Sequence, residues 1–330
     1  MSVSLLRALR DPCEEHLAAL DRVAFADDAL DGEDQPLALY CAYELRYRGF
    51  AGVSDELEWH PALLALTARL EGAFLSRLRA GVDERFGRAP TEPRAVFDAL
   101  RRLASSDGPS VSAFMAERGT LDQMREFAVH RAPYQLKEAD PHTWVIPRLS
   151  GTAKAAVIEI QADEYGNGRR TSMHAELFAD TMRALGLDAR YGALLDLVPG
   201  ATLSTVNLVS YFGLHRRWRG ALVGHLALFE MCSVVPMGRY VAALERLRVP
   251  EGAPFYTAHV EADEWHQHVA LERMAGGLIH DEPELAADVA FGARAVALLE
   301  DDLARRLLGA WAEGRTSLRA PLAASLRLAS

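Results

Sequence analysis

The sequence predicts an all-α fold, and three observations carry that prediction. Apolar residues recur at intervals of three and four, as in "PALLALTARLEGAFLSRLRAGV" (61–82) and "LVGHLALFEMCSVVPMGRYVAALERL" (222–247), the pattern of amphipathic or buried helix. Alternating runs flanked by hairpin signals are scarce, and "TWVIPRL" (143–149) is short and interrupted by Pro147, which argues against a central strand. Breakers at "DDALDGEDQP", "FGRAPTEP", "SSDGPS", "DPHTW", "YGNGRRTS", "DLVPGATL" and "RVPEGAP" divide the chain into roughly nine or ten helices. Among these, "SSDGPS" (105–110) marks the best boundary between an N-terminal helical unit and a longer C-terminal one. No internal repeat or low-complexity tract stands out.

Bulk properties narrow the function classes. With 330 residues, half of them hydrophobic, a sizeable core is available. A net charge of −10 repels phosphate backbones, so nucleic acid is not an expected partner. Cys13, Cys41 and Cys232 are odd in number, far apart and without CxxC spacing, which suggests neither a disulfide framework nor a zinc knuckle and fits a reducing cytoplasm. The opening "MSVSLLRALRDPCEEHLAALD" breaks its apolar residues with charges, and no apolar run reaches the length of a membrane span, so no membrane association is expected.

The chemistry concentrates in four stretches. In "FYTAHVEADEWHQHV" (255–269), His259, Asp263 and His266 stand four and three residues apart. At about 100° per residue they fall within roughly 60° on one helix face and aim at one point. Imidazole and carboxylate together suit iron, manganese or zinc. Glu261, Glu264 and His268 point elsewhere. Alone, this spacing also suits a solvated helix face, and partners on other helices have to decide.

Such partners exist. "VIEIQADEYGNGRRTSMHAELF" (157–178) places Glu164 at the end of one helix and His174 in the first turns of the next, with Thr171 or Ser172 as expected N-cap. "YQLKEADPHTW" (134–144) carries Glu138 on a helix expected to end near Pro141, where a short antiparallel link would let Glu138 face Glu164. "HLALFEMCSVV" (225–235) contains Glu230 among mostly apolar residues, where an ionised carboxylate is costly unless it is paired or bound to a metal. A buried ion pair of Glu230 with an arginine is the structural alternative. The Glu-x-x-His pairs of ferritin-type bundles are missing, since Asp263-x-x-His266 has no Glu-x-x-His counterpart.

Together "KEADPHTW", "EIQADEYGNG" followed by His174, the isolated Glu230 and "HVEADEWH" resemble the haem-oxygenase-like diiron oxidases and oxygenases, also called iron-containing redox enzymes. The resemblance covers residues 120–320 or so. It implies a haem-oxygenase-like helical bundle over 116–330, with residues 1–115 as an N-terminal helical extension that covers the core or forms a dimer contact. Carried over residue by residue, it implies Glu138, Glu164, His174, Glu230, His259, Asp263 and His266 as ligands, with Asp140, Asp163 and Glu159 as competing acids nearby. Seven such ligands would hold two Fe(II) ions about 3.5 to 4 Å apart. The implied activity takes O2 as co-substrate and oxidises a small molecule through a peroxo-diferric species, with an external electron donor and a homodimer as further expectations.

Two reactions follow from the resemblance: oxygen insertion at nitrogen of an amine or amino-acid-derived substrate, ranked first because of the third histidine, and oxidative C–C cleavage. Arg169 and Arg170 could grip a substrate carboxylate as arginine forks do, although loop arginines also suit solvent. Tyr165, Tyr134 and Tyr240 could donate hydrogen bonds to the site or simply pack. Haem oxygenase itself, and a TenA-like thiamine hydrolase with Cys232 beside Glu230, share the helical shell and stand as alternatives.

Overall fold

The computed structural model describes residues 1–26 and 28–322, and these contain helices and no strand. In chain order the helices are α1 (Ser2–Arg10), α2 (Glu14–Ala19), α3 (Asp34–Glu44), α4 (Pro61–Phe86), α5 (Pro93–Ala104), α6 (Val111–Glu117), α7 (Leu121–Gln135) and α8 (Asp140–Thr143). They continue with α9 (Gly151–Glu164), α10 (His174–Ala184), α11 (Gly200–Leu214), α12 (Arg219–Cys232), α13 (Val234–Arg246), α14 (Pro254–His268), α15 (Gly276–Asp281) and α16 (Ala286–Ala312). The architecture is all-α, as the sequence predicts.

Local chemistry explains the helix ends. Thr120 and Gln123 open α7 with a reciprocal capping box, Gln123 N donating to Thr120 Oγ1 at 3.2 Å and Thr120 N to Gln123 Oε1 at 2.9 Å. Pro61 opens α4 at a position that needs no N–H, and Gly87 closes that helix at φ +67°. The 222–247 stretch, periodic throughout, is split at Ser233 into α12 and α13. Pro236 lies in the first turn of α13, where its missing N–H costs no helical bond.

α12 and α16 form the closest-packed pair. Any Cβ on Gly224 would meet Val289 O at 1.9 Å, and any on Gly292 would meet Ala221 O at 1.9 Å. The two backbones therefore touch through reciprocal glycines, and Ala221, Ala290 and Ala293 are buried beside them. α4 and α5 also pack on α16, α3 on α11, and α6 on α13. One apolar core thus runs from Leu5 to Leu318 and includes residues on both sides of the expected 115/116 boundary.

α14 does not stop at His268 but passes through a π-helical turn, Val269–Ala275, into α15. That turn packs against α9 and α12, the helices that carry Glu164 and Glu230. Among the described residues no single helix is long and apolar enough to cross a membrane.

Candidate metal centre

Seven buried side chains from five segments meet in two adjacent groups. Glu138, Glu164, His174 and His259 each offer one ligand atom within 4.8 Å of the others, and Glu230, Asp263 and His266 do the same. Helix period alone accounts for the stripe on α14, where His259, Asp263 and His266 are all buried. Glu164 is the last residue of α9 and His174 the first of α10, joined by two 3₁₀ turns that fold back on Gly166 at φ +61°. A Cβ on Gly166 would lie 2.5 Å from the Ser172 carbonyl carbon, so only glycine permits this return.

Two local expectations are corrected here. Thr171 and Ser172 are not the N-cap of α10: both are consumed in the 3₁₀ turn Arg170–Ser172, and Met173 takes the extended capping conformation. Nor does Glu138 sit on a helix ending near Pro141. α7 ends at Gln135, Glu138 lies in the following turn, and Pro141 stands in the first turn of α8, where proline is tolerated. Ala139 at φ +74° reverses the backbone between them.

The distances define the donor set. Glu164 Oε2 lies 2.9 Å from His174 Nδ1, Glu138 Oε1 3.6 Å from His259 Nε2, and the His174 and His259 rings are 4.2 Å apart. His266 Nδ1 lies 3.4 Å from both Glu230 Oε2 and Asp263 Oδ1. Glu230 therefore faces a histidine, and the expected alternative of an arginine partner is not what the structure forms.

Outer partners fix the ring orientations. His259 Nδ1 donates to Phe255 O at 2.9 Å, which leaves Nε2 turned toward Glu138. His266 Nε2 donates to Asp163 Oδ2 at 3.0 Å, which leaves Nδ1 facing Glu230 and Asp263. Ser233 Oγ donates to Asp263 Oδ2 and leaves Oδ1 free. Histidine ligands are held in this way by a partner on the ring nitrogen opposite the metal. Asp163, a competing acid at the sequence level, thus lies outside both groups and holds the His266 ring; Ser233 and the π turn had no signal in the sequence.

Burial and neighbouring charge oppose one another in these groups. Burial pushes the Glu230 carboxyl up to about 8 despite the pull of His266, with Asp263 and Glu164 adding to the rise. Burial also raises Glu138, against the pull of His259. For His259 burial works downward, yet Glu138 and the neighbouring acids outweigh it and hold the imidazolium to about 10. His266 rises to about 11 in the same way, with burial opposed by Asp263, Glu230 and Asp163. Glu164 is drawn down to about 2: burial raises it, but His174, His259 and His266 prevail.

Glu138 Oε2, Glu164 Oε2, His174 Nδ1, Glu230 Oε2, Asp263 Oδ1 and His266 Nδ1 are buried without a hydrogen-bond partner. Such orphaned atoms are rare in a folded interior, and here they share one small region. Their chemistry fits iron: oxygen and imidazole donors with no thiolate. Four carboxylates also match in charge what two divalent ions would neutralise.

The remaining sequence candidates lie elsewhere. Arg169 and Arg170 are exposed, Arg170 pairing with Glu176 at 3.2 Å. Tyr165 OH donates to Asp140 Oδ1 at 2.8 Å and lies 2.9 Å from Thr143 Oγ1. Tyr240 stacks on Phe127. Tyr134 is the exception: burial raises its phenol, and the Glu138, Glu164 and Glu230 carboxylates contribute. Its hydroxyl lies 3.4 Å from His142 Nδ1, and His142 Nε2 lies 3.2 Å from His225 Nδ1, a buried chain that sequence reading missed. Cys232 is half-buried, and burial lifts its thiol to about 12.

A family model of iron-containing redox enzymes matches residues 125–301, more than half of the chain and all seven clustered residues. The chain belongs to that family. The iron-containing redox enzymes are oxidoreductases, and buried histidine and glutamate groups compatible with iron accord with this membership. The chain is also similar to nitrosourea synthase from Streptomyces achromogenes subsp. streptozoticus, 25% identical over 241 residues. The match takes in 70% of this chain and 51% of the relative, so the chain spans about half of that protein's length.

Proposed function

We propose that this chain is a non-haem diiron oxygenase that uses O2 to oxidise a nitrogen atom of a small amine or amino-acid-derived substrate. The observation that carries the reading is the pair of buried groups with six orphaned donor atoms turned toward one another. Glu138, Glu164, His174 and His259 would hold one iron, and Glu230, Asp263 and His266 the other. When bound, a ferrous pair supplies electrons and open coordination positions for O2.

The chain's own residues do the remaining work. Phe255 O and Asp163 hold the His259 and His266 rings in register, and Ser233 pins one oxygen of Asp263. Phe178 and Phe255 are fully buried and stack edge-on, with Phe255 also against His174 and His259, a wall that keeps water from the imidazoles. Tyr134 keeps its proton, because burial and the Glu138, Glu164 and Glu230 carboxylates all raise its phenol.

Nitrogen is favoured as the oxidised atom by the relative named for making a nitrosourea, a compound with oxygen on nitrogen. Two observations weigh against the alternatives. A thiol lifted to about 12 is a poor nucleophile at neutral pH, which disfavours a thiamine-hydrolase role for Cys232. Haem needs one axial imidazole and gives the four buried carboxylates no task.

The test is turnover of iron-loaded protein under ¹⁸O2 with a panel of amines and amino acids. The reading expects a product heavier by one labelled oxygen on nitrogen. Loss of a carbon fragment would instead assign the cleavage reaction, and O2 consumption indifferent to Glu138→Ala and His266→Ala would remove the diiron reading.

A further inference from the structure

Next to Glu138 stands Lys137, only 1% exposed, with its ammonium 2.9 Å from Glu44 Oε2 on α3, itself 2% exposed. The ammonium also lies 4.1 Å from the Tyr47 ring centroid and 5.0 Å from that of Tyr40. The second oxygen of Glu44 accepts a hydrogen bond from Tyr191 OH at 2.6 Å. Just past α3, Arg48 donates from Nη2 to Leu136 O at 3.1 Å, and its guanidinium lies 4.2 Å over the Tyr191 ring. From the other side Gln161 Nε2 donates to Ala139 O at 3.1 Å.

Every residue from 136 to 139 except Glu138 is therefore gripped by something outside its own turn, and Glu138 is the one whose carboxylate enters the metal groups. The turn needs such a grip. It interrupts the helical hydrogen bonding between α7 and α8, and Ala139 is held at φ +74°, a conformation that alanine avoids. Stability alone does not call for a buried Lys–Glu pair, since apolar side chains of similar volume commonly serve as well or better.

We propose that Glu44 and Arg48, on a helix and turn outside the residues the family model matches, are positioning residues that set Glu138 as a metal ligand through Lys137 and Leu136. The N-terminal helices thereby become part of the metal centre rather than a cover on it. This rests on the metal-centre reading given above. Glu44 and Arg48 touch neither reacting atoms nor metal; they act on where the Glu138 carboxylate stands.

The test is a cobalt(II) titration of the full chain, read by the visible d–d bands of each bound equivalent, beside the melting temperature of the metal-free protein. Variants are Glu44→Gln, the apolar double variant Glu44→Leu with Lys137→Met, the milder Tyr191→Phe, and Glu138→Ala as reference. One of two equivalents is expected to weaken by about tenfold in the first two, the lower end of what loss of a ligand's direct partner costs, because Glu44 acts one residue removed. Its bands should shift toward those of Glu138→Ala, with the other equivalent retained and the double variant melting near the wild type. Should the double variant fold poorly, Tyr191→Phe must still weaken the same equivalent selectively. The clamp is overturned if these variants bind two equivalents with wild-type affinity and spectrum, or if both equivalents weaken together in step with the melting temperature. A wild type that binds no cobalt would overturn the metal-centre reading itself, and the clamp with it.

Discussion

Glu230 shows how one residue separates a structural from a functional role. Burial holds its carboxyl at about 8, so at neutral pH the metal-free protein keeps it mostly protonated. Glu230→Gln is then nearly isosteric with the resting state, and the metal-free stability should change by less than about 1 kcal/mol in a urea titration. Iron capacity should nevertheless fall, because an amide replaces the anionic donor. His259 and His266 supply the complementary prediction. Their metal-free values of about 10 and about 11 mean that both carry protons at pH 7, and a bound cation must displace them. Apparent metal affinity should therefore rise with pH across the neutral range. Calorimetry in buffers of different ionisation enthalpy should record proton release on loading, and no release would contradict the assignment of these two ligands. The sequence made both residues visible through the spacing on α14, since helix period alone puts 259, 263 and 266 on one face. It left Glu138 in the wrong context, because "YQLKEAD" reads as helix and nothing in its composition announces the positive φ of Ala139.

At the scale of elements, α12 and α16 matter most, because their backbones meet through Gly224 and Gly292 and because α12 carries Glu230. A methyl group at either glycine has nowhere to go but into a carbonyl oxygen, and the helices must part. Gly224→Ala and Gly292→Ala should each destabilise the protein by about 2 kcal/mol or more, within the range for overpacked cores. Denaturant titration of either variant checks this, and an unchanged midpoint would refute the contact. The helical class was legible from the three-and-four recurrence of apolar residues, and most helices start or stop where glycine and proline cluster. The split at Ser233 and the π turn Val269–Ala275 were not legible. Both lie in stretches whose apolar period continues unbroken, so only packing against neighbouring helices decides the local hydrogen bonding.

Across the whole molecule, three buried histidines outside the metal groups tie distant segments together. His130 on α7 lies 2.6 Å from Thr202 Oγ1 on α11 and 3.0 Å from Ser317 Oγ beyond α16, while His142 pairs with His225. Burial lowers His130 to about 3 and His142 to about 4, and it lowers His225 well below its ordinary 6.5. The sign is that of depressed groups: the unfolded chain takes up these protons near pH 6.5, the folded one only far lower. Stability is thus fully present above pH 6.5 and drains away as pH falls toward 4 and then 3. Melting temperature should drop steeply over that window, and His130→Gln should flatten the drop. Long-range ties of this kind are invisible to spacing rules, because residues 130, 202 and 317 share no motif.

The central claim is that side chains from residues 138 to 266 converge to hold two iron ions. Its most direct test is the ⁵⁷Fe Mössbauer spectrum, with iron counting, of protein loaded anaerobically with Fe(II). The account predicts two high-spin ferrous ions per chain, reduced to one or fewer in Glu230→Ala and in His174→Ala. A wild-type protein that retains no more than one iron per chain, or variants that bind iron as the wild type does, would contradict it.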